Sequence, residues 1–526
     1  MFTIREGMDW PPTNLLYDKM REHSVWYSGD ASLIANFYSI EKNKTFIDSP
    51  FANDRITFWG RQHSNGSQIF NHVPIAGDIS EMSSSLLFAE SALVKIADNK
   101  DNARLATQEK LDKLLDNSGF HEKMLEVGET ASAIGGTFVK IAWDKDLSEY
   151  PIPVVEQADK AIPYFKFGML TSVIFWQTVR DEVEDGKQKE VYRLLEHYKK
   201  GSIEYTLYKG KAGKLGNVVD LNSIEETKDQ EQYIDTKDML LAAYFPNMLP
   251  NRLIRSSSLG RSDYLSIEGL MDSLDETYSA WCKEITLGLA KVYVPERYLI
   301  NKDGRRMYNP DETTYVELDV DPINSNEKNL ITPQQFNIRA DAFEKTMLNQ
   351  LERIITSAGY SPQSFGLNIS GRAESGTALG IRERKSFITK AKKEKYFYKP
   401  MMHIVNCMMF VYSEFLQGKD IDPNEEISIS FSDSITNNLA ETSESINKLN
   451  SAVAVSIEVK VRMLHPEWSE LEIIEEVNKI KEENMIGSAP TPDNFDLSQL
   501  NLIEKESNEE NAEENAQVED DGTDQN

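Results

Sequence analysis

With only two cysteines in 526 residues, Cys282 and Cys407, this chain has no disulfide framework and no Cys-x-x-Cys motif. Both cysteines sit in apolar helical patterns, where buried, reduced thiols are expected. The seven histidines are scattered and no pair stands at metal-ligand spacing. His-Glu-x-x-His, Gly-x-Ser-x-Gly and P-loop motifs are all missing, so nothing points to a zincin, an α/β-hydrolase or a nucleotide hydrolase. Gly210-Lys211-Ala212-Gly213-Lys214 lacks the Gly-Lys-Ser/Thr ending of a phosphate loop and reads as a hairpin turn. The most apolar long stretch, 401–416, contains His403, Asn406 and Glu414 and is too short to span a bilayer. Met1-Phe2-Thr3-Ile4-Arg5-Glu6 runs into Trp10-Pro11-Pro12 with no apolar stretch typical of a secretory signal, so a soluble protein of a reducing cytoplasm is expected. No internal repeat is present.

Negative charge is what the chain has in excess. Asp and Glu number 86 against 57 Lys and Arg, a net charge of −29 with a pI near 4.8. That argues against a tight general nucleic-acid binder, which is normally basic, but not against a protein past which DNA slides. The 40% hydrophobic content suffices for folded domains. The acid is concentrated at the C-terminus: residues 504–526 hold ten acidic residues against Lys505 alone, so 488–526 is expected to be a disordered acidic tail.

Residues 1–260 read as mixed α/β. Helices are expected over 15–40, through Leu86, Leu87, Leu93 and Val94, around Leu111, Leu114 and Leu115, and over 121–134. Gly135-Gly136 stops the last, and a strand follows at 138–143. Residues 173–208 alternate β-branched and aromatic residues between turn signals, which predicts a β-meander.

The most informative stretch begins near Ser262. Ile267, Leu270, Met271, Leu274, Tyr278, Trp281, Ile285 and Leu289 recur every three or four residues, which predicts a helix of about 28 residues within 261–291. An insert at 292–337 carries short strands and the cationic turn Lys302, Arg305, Arg306. A second amphipathic helix is expected over 338–359, with Phe343, Met347, Leu351, Ile354 and Ala358 on one face and Lys345 on the other. A loop at 360–374 holds Ile369, Ser370 and Arg372. Next comes a helix over 375–420, basic and then apolar. Its run Arg382, Arg384, Lys385, Lys390, Lys392, Lys393, Lys395, Lys399 meets only Glu383 and Glu394 and predicts a positive face. Pro400 is expected to kink or end it. Residues 421–487 read as a short strand at 426–431 followed by helices over 439–463 and 469–485, the latter with Leu471, Ile474, Val477 and Ile480 inward.

This order of elements resembles the portal proteins of tailed bacteriophages, in the branch infecting Gram-positive hosts. Several blocks carry the resemblance. They are His72-Val73-Pro74-Ile75-Ala76 with Ser84-Ser85-Leu86-Leu87-Phe88, Gly260-Arg261-Ser262-Asp263-Tyr264 with the 267–276 run, Val292-Tyr293-Val294-Pro295, Phe336-Asn337-Ile338-Arg339, Gly359-Tyr360-Ser361-Pro362, and Ser375-Gly376-Thr377-Ala378-Leu379.

The resemblance implies an α+β subunit that assembles into a ring, typically of twelve. On this mapping 1–260 is an α/β wing, 261–291 and 338–359 the two stem helices, and 292–337 a small β-containing clip. Residues 360–374 form the tunnel loop, 375–420 a long kinked helix of the wing, and 421–487 a helical crown. The implied role is structural, not enzymatic, and needs no cofactor and no metal. The ring would sit at one capsid vertex of the virion, after assembly in the host cytoplasm, and pass double-stranded DNA during packaging and ejection. Implied partners are the terminase large subunit, head-completion and connector proteins, and the major capsid and scaffolding proteins, with no membrane. Lys345, Ile369, Ser370 and Arg372 become DNA-channel candidates, and Lys302, Arg305 and Arg306 become docking candidates on the clip. The alternatives are another connector or minor capsid protein, or a nucleic-acid enzyme holding Mg²⁺ on Asp319 and Asp321.

Overall fold

The computed structural model describes residues 4–12, 14–48, 57–60, 70–96, 102–184, 187–288, 291–295, 315–318, 332–334, 337–367, 376–416, 418, 421–423, 425–431, 439–452, 454–465, 468 and 470–483. They fall into two compact units, Met1–Thr436 and Asn437–Asn526.

The first unit opens with α1 (Leu15–Ser28) and α2 (Ala31–Asp48). Asn14 caps α1 by accepting from the Leu16 and Tyr17 amides, and Gly29, at φ +66°, breaks the single helix expected over 15–40. Helix α3 (Ile75–Phe88) lies against α5 (Phe120–Ile134), which is preceded by α4 (Asn102–Asn117). Small residues let the α3–α5 pair close: Ser80, Ser83 and Ser84 are buried on α3, and a Cβ on Gly128 would sit 3.2 Å from the Ser84 Cα.

Between α3 and α4, Leu93 and Val94 form a strand and not the expected helix. Strand β1 (Leu93–Ile96) pairs antiparallel with Ile427–Ser430 far along the chain, so a partner remote in sequence decides its conformation. Strands β2 (Gly136–Ala142) and β3 (Ile152–Gln157) make a hairpin. The expected meander follows as β4 (Ala161–Lys166), β5 (Met169–Glu184), β6 (Lys187–Lys199), β7 (Ser202–Gly210) and β8 (Asn217–Val219), with β9 (Tyr233–Asp235) also on β7. Strand β10 (Ala242–Pro246) joins the other edge of β2, giving the order β10-β2-β3. The Gly210–Lys214 segment is a turn, as expected: Arg193 donates to the carbonyls of Lys214 and Lys211.

Helix α6 (Glu268–Leu287) has 20 residues, shorter than the pattern suggests, because 263–267 is spent in turns with Ser266 at φ +78°. Three short strands follow: β11 (Lys291–Pro295), parallel to β12 (Tyr315–Leu318) and antiparallel to β13 (Thr332–Gln334). Part of β13 falls where a polar loop is expected. Helix α7 (Ala340–Ala358) ends on Gly359 at φ +110°, as its periodicity predicts.

Helix α8 (Gly376–Glu414) has 39 residues and continues past Pro400. Of the two expected outcomes at Pro400, a kink or an end, the helix does not end: Phe397, Met401, Ile404, Val405 and Met408 are buried on both sides of the proline, and that burial outweighs one lost backbone hydrogen bond. The Phe397 ring meets Phe88 of α3 at 5.8 Å and Phe245 of β10 at 5.6 Å, so α3, α5, β10-β2-β3 and α8 share one core. Cys407 is fully buried, as expected. Cys282 is only half-buried because its face of α6 lies outside that core. Strand β14 (Ile427–Ser430) closes the unit on β1.

The second unit holds α9 (Leu439–Ser451), α10 (Ile457–Leu464) and α11 (Glu470–Glu483). The single helix expected over 439–463 is two, since Ser456 caps α10 through the Val459 amide. On α11 Val477 is buried and Ile480 packs inward, as expected, but Ile473 takes the place of Ile474, which is 49% exposed. Val461 of α10 meets the 473/477 pair and so selects that face.

Gly135 joins α5 to β2 at φ +98°, and a Cβ there would stand 2.8 Å from the Ser262 amide nitrogen. Gly135→Ala should therefore lower stability by ~1–3 kcal/mol, read as a lower urea midpoint with unchanged slope. An unchanged midpoint would show that the junction can relax.

Candidate functional site

The two amphipathic helices α6 and α7 form a hairpin whose halves differ. Near its base the apolar residues are buried: Met271 and Leu274 on α6, and Ile354, Ile355 and Ala358 on α7. Toward the insert they are open, with Ile285 44%, Leu287 52%, Ile338 42% and Leu348 46% exposed. Here the helices meet through a stack of Trp281 on Phe343 (centroids 6.2 Å, 4° between planes) and the exposed Arg339–Glu284 pair. Gln350 adds a hydrogen bond of 3.1 Å to Thr277 Oγ1.

The base is fixed by polar groups. Glu268, Asp272, Asp275 and Ser279 recur at spacings of four, three and four, so they share one face of α6. That face holds the N-terminal residues. Asp275, fully buried, accepts from Trp59 Nε1 at 2.9 Å, His72 Nδ1 at 2.8 Å and the Val73 amide at 2.9 Å. Asp272 accepts from the Phe58 and Trp59 amides at 2.8 and 3.3 Å. Ser279 exchanges hydrogen bonds with the Asn71 backbone. Glu268 meets His23 Nε2 at 3.0 Å and Lys19 Nζ at 3.4 Å. Burial alone would raise the Glu268 pKa, but the His23 hydrogen bond and the Lys19 charge prevail and hold it at about 2.

A second set of polar contacts joins both ends of the hairpin to α8. Lys393, 1% exposed, donates to Asp263 Oδ2 at 2.6 Å, Ser83 Oγ at 2.6 Å and Tyr360 OH at 2.9 Å. Asp263 lies just ahead of α6 and Tyr360 just after α7. Asp263 also accepts from Tyr360 OH at 2.8 Å, Ser132 Oγ at 2.7 Å and Asn247 Nδ2 at 2.8 Å. Burial pulls the Lys393 ammonium below its ordinary range, while Asp263 works against that shift. Burial, then the Asp263 charge, push the Tyr360 phenol far upward.

The structure disperses the residues that the sequence groups. Lys345 is exposed on α7. In the basic run Arg384, Lys385 and Lys392 are exposed and Arg382 is half-buried, but Lys390 and Lys393 are buried. The run is therefore not one positive face. A 3.6-residue repeat turns its cations all round the helix, and two of them enter the protein. Lys385 Nζ donates to the Thr356 carbonyl, and Lys390 lies 3.8 Å from Glu394. Lys302, Arg305, Arg306, Ile369, Ser370, Arg372, Asp319 and Asp321 lie outside the described residues. Among the described residues no cluster of three or more His, Cys, Asp or Glu could hold a metal, and no helix is long and apolar enough to cross a membrane. His403 is structural: its Nε2 lies 2.7 Å from the Leu240 carbonyl.

Asp263, Tyr360 and Asp275 lie inside the sequence blocks quoted above, but as family markers and not as partners. A signal for Lys393 was present. Stepping back by four from Met401 through Phe397 reaches Lys393 and then Thr389, so the buried face of the apolar half extends into the basic half.

A family model described as phage portal protein, SPP1 Gp6-like, matches residues 14–485. No curated protein matches. Among solved structures, a chain in the neck of an empty GTA particle computed with C6 symmetry is 10% identical, with 75% of this chain and 90% of that chain covered at a TM-score of 0.40. A chain in the virion of a native gene transfer agent particle is 10% identical, with 88% and 96% covered at 0.36.

The acidic face of α6 generates two predictions. Asp275→Asn turns an amide N–H₂ toward groups that donate to the present carboxylate. It should cost on the order of 3 kcal/mol in chemical unfolding, and a loss below about 0.5 kcal/mol would show that the N-terminal segment is not held there. Glu268 has a folded pKa of about 2, below its ordinary 4.5. Its stabilisation is complete above about 4.5 and is lost as pH falls toward 2. The gap in unfolding midpoint between the wild type and Glu268→Gln should therefore narrow over that window. A constant gap would contradict the assignment.

Proposed function

Because the chain belongs to the phage portal protein family, SPP1 Gp6-like, we propose that copies of it close into a ring of twelve around an axial channel. The ring occupies one capsid vertex of a tailed phage of a Gram-positive host and passes double-stranded DNA during packaging and ejection. The family match over residues 14–485 carries this reading, and the family is structural, not enzymatic. The terminase large subunit docks on the clip around β11, β12 and β13, where Lys302, Arg305 and Arg306 fall in sequence, and head-completion proteins replace it later. Major capsid and scaffolding proteins meet the ring during assembly in the host cytoplasm.

Two physical features support the ring. The open half of the α6–α7 hairpin exposes Ile285, Leu287, Ile338 and Leu348, apolar area that a neighbouring copy covers in a closed assembly. The outer face of α7 is polar and carries Lys345, which a twelvefold ring repeats as a girdle of cations. Against a net charge of −29, such sparse positive charge keeps phosphate contacts few, so DNA passes without binding tightly. Ile369, Ser370 and Arg372 fall in sequence between α7 and α8 and take the tunnel-loop role in this reading.

Native mass spectrometry and negative-stain microscopy of the purified chain should give a closed ring with a central hole. A monomer at every concentration, together with particles that fill with DNA without it, overturns the proposal. Lys345→Ala should leave the ring intact and stability within ~0.5 kcal/mol, while DNA retention becomes less sensitive to salt. An unchanged salt dependence removes Lys345 from the channel wall.

A further inference from the structure

One stripe of α8 faces the junction that follows α7, and it is polar throughout. Lys385, Ser386, Thr389 and Lys393 recur at helical spacing, so they share a face. Each makes a hydrogen bond to the last turn of α7 or to that junction. Lys385 Nζ donates to the Thr356 carbonyl. Ser386 Oγ accepts from the Ser361 amide at 2.9 Å and meets Ser364 Oγ at 2.8 Å. Thr389 Oγ1 donates to the Gly359 carbonyl at 2.6 Å, and Lys393 donates to Tyr360 OH at 2.9 Å. Only Lys393 also reaches the opposite end of the hairpin, through Asp263.

We propose that Lys393 is a positioning residue: its one ammonium fixes the entry of α6 and the exit of α7 to each other and to α8, and so sets where the α7 face and the 359–367 segment stand. Directional contacts suit this task. An apolar seam tolerates a slip of a fraction of a turn, whereas an ammonium with three donors satisfied by Asp263, Ser83 and Tyr360 has one geometry. Neither end of the hairpin can shift without leaving a buried charge or hydroxyl unpaired, which is costly at 1% exposure. The link from this anchor to DNA passage rests on the portal reading above, but the anchor itself does not.

The test separates a pin from a mere stabiliser. Lys393→Met leaves Asp263 buried without its cation and should lower the unfolding midpoint. Lys393→Met combined with Asp263→Asn removes both charges and should restore most of that stability. If Lys393 positions the junction, the double variant keeps the recovered midpoint, yet amides of 359–367 exchange with deuterium roughly tenfold faster than in the wild type. Amides of β5, β6 and β7 should be unchanged. Wild-type exchange at 359–367 in the double variant overturns the proposal. Should either variant fail to fold, Tyr360→Phe removes the hydroxyl through which Lys393 holds the exit of α7: faster exchange confined to 359–367 supports the pin, and no change refutes it. Exchange is read without DNA, so it stands apart from the portal reading. Within that reading, the double variant should form rings that retain less DNA. Rings with loosened 359–367 but normal DNA retention would leave the anchor standing and break its link to the channel.

Discussion

A two-helix hairpin that leaves much of its outer half open can hold a defined direction only if its base is held rigidly. In this protein the Lys393–Asp263 pair does that holding. Taking two charges out of water is costly, and the pair contributes little net stability by itself. It persists because Ser83, Ser132, Asn247 and Tyr360 satisfy the remaining donors and acceptors. What the arrangement supplies is a unique geometry: α3, α5, the entry to α6, the exit of α7 and α8 all meet around these two charges.

The acidic face of α6 works in the same way from the other side. Asp275 and Asp272 accept hydrogen bonds from Phe58, Trp59, His72 and Val73, and Glu268 binds His23 and Lys19 of α1. The N-terminal residues thus grip the root of the hairpin. The abundant acid in this chain therefore has two physical roles. Some of it is solvated surface. A smaller part is buried and serves as a scaffold of acceptors.

Much of the fold was legible in the sequence where local pattern and environment agree. The three-and-four repeat of α6 and α7, the stop at Gly359, the α5 helix ending at Gly135 and the meander all follow from side-chain period and turn chemistry. Where a remote partner decides, local pattern misleads. Leu93 and Val94 extend a helical run but pair with β14 some 330 residues later in the register Leu93↔Ser430 and Val94↔Ile429. Pro400 looks like a terminator, yet burial on both sides carries the helix through it. The basic run looks like a positive face because composition counts charges without direction. Continuing the apolar stripe of α8 back from Met401 shows instead that Lys393 belongs inside.

The sequence alone determined the order of the elements, the family to which that order belongs, and the sign and distribution of charge. These depend on residue type and spacing along one dimension. Only the tertiary structure decided with whom a buried charge pairs, because Asp263 and Lys393 are 130 residues apart. No periodicity encodes that meeting. Desolvation and hydrogen-bond geometry select it once the helices pack, and the same cation could otherwise have faced solvent.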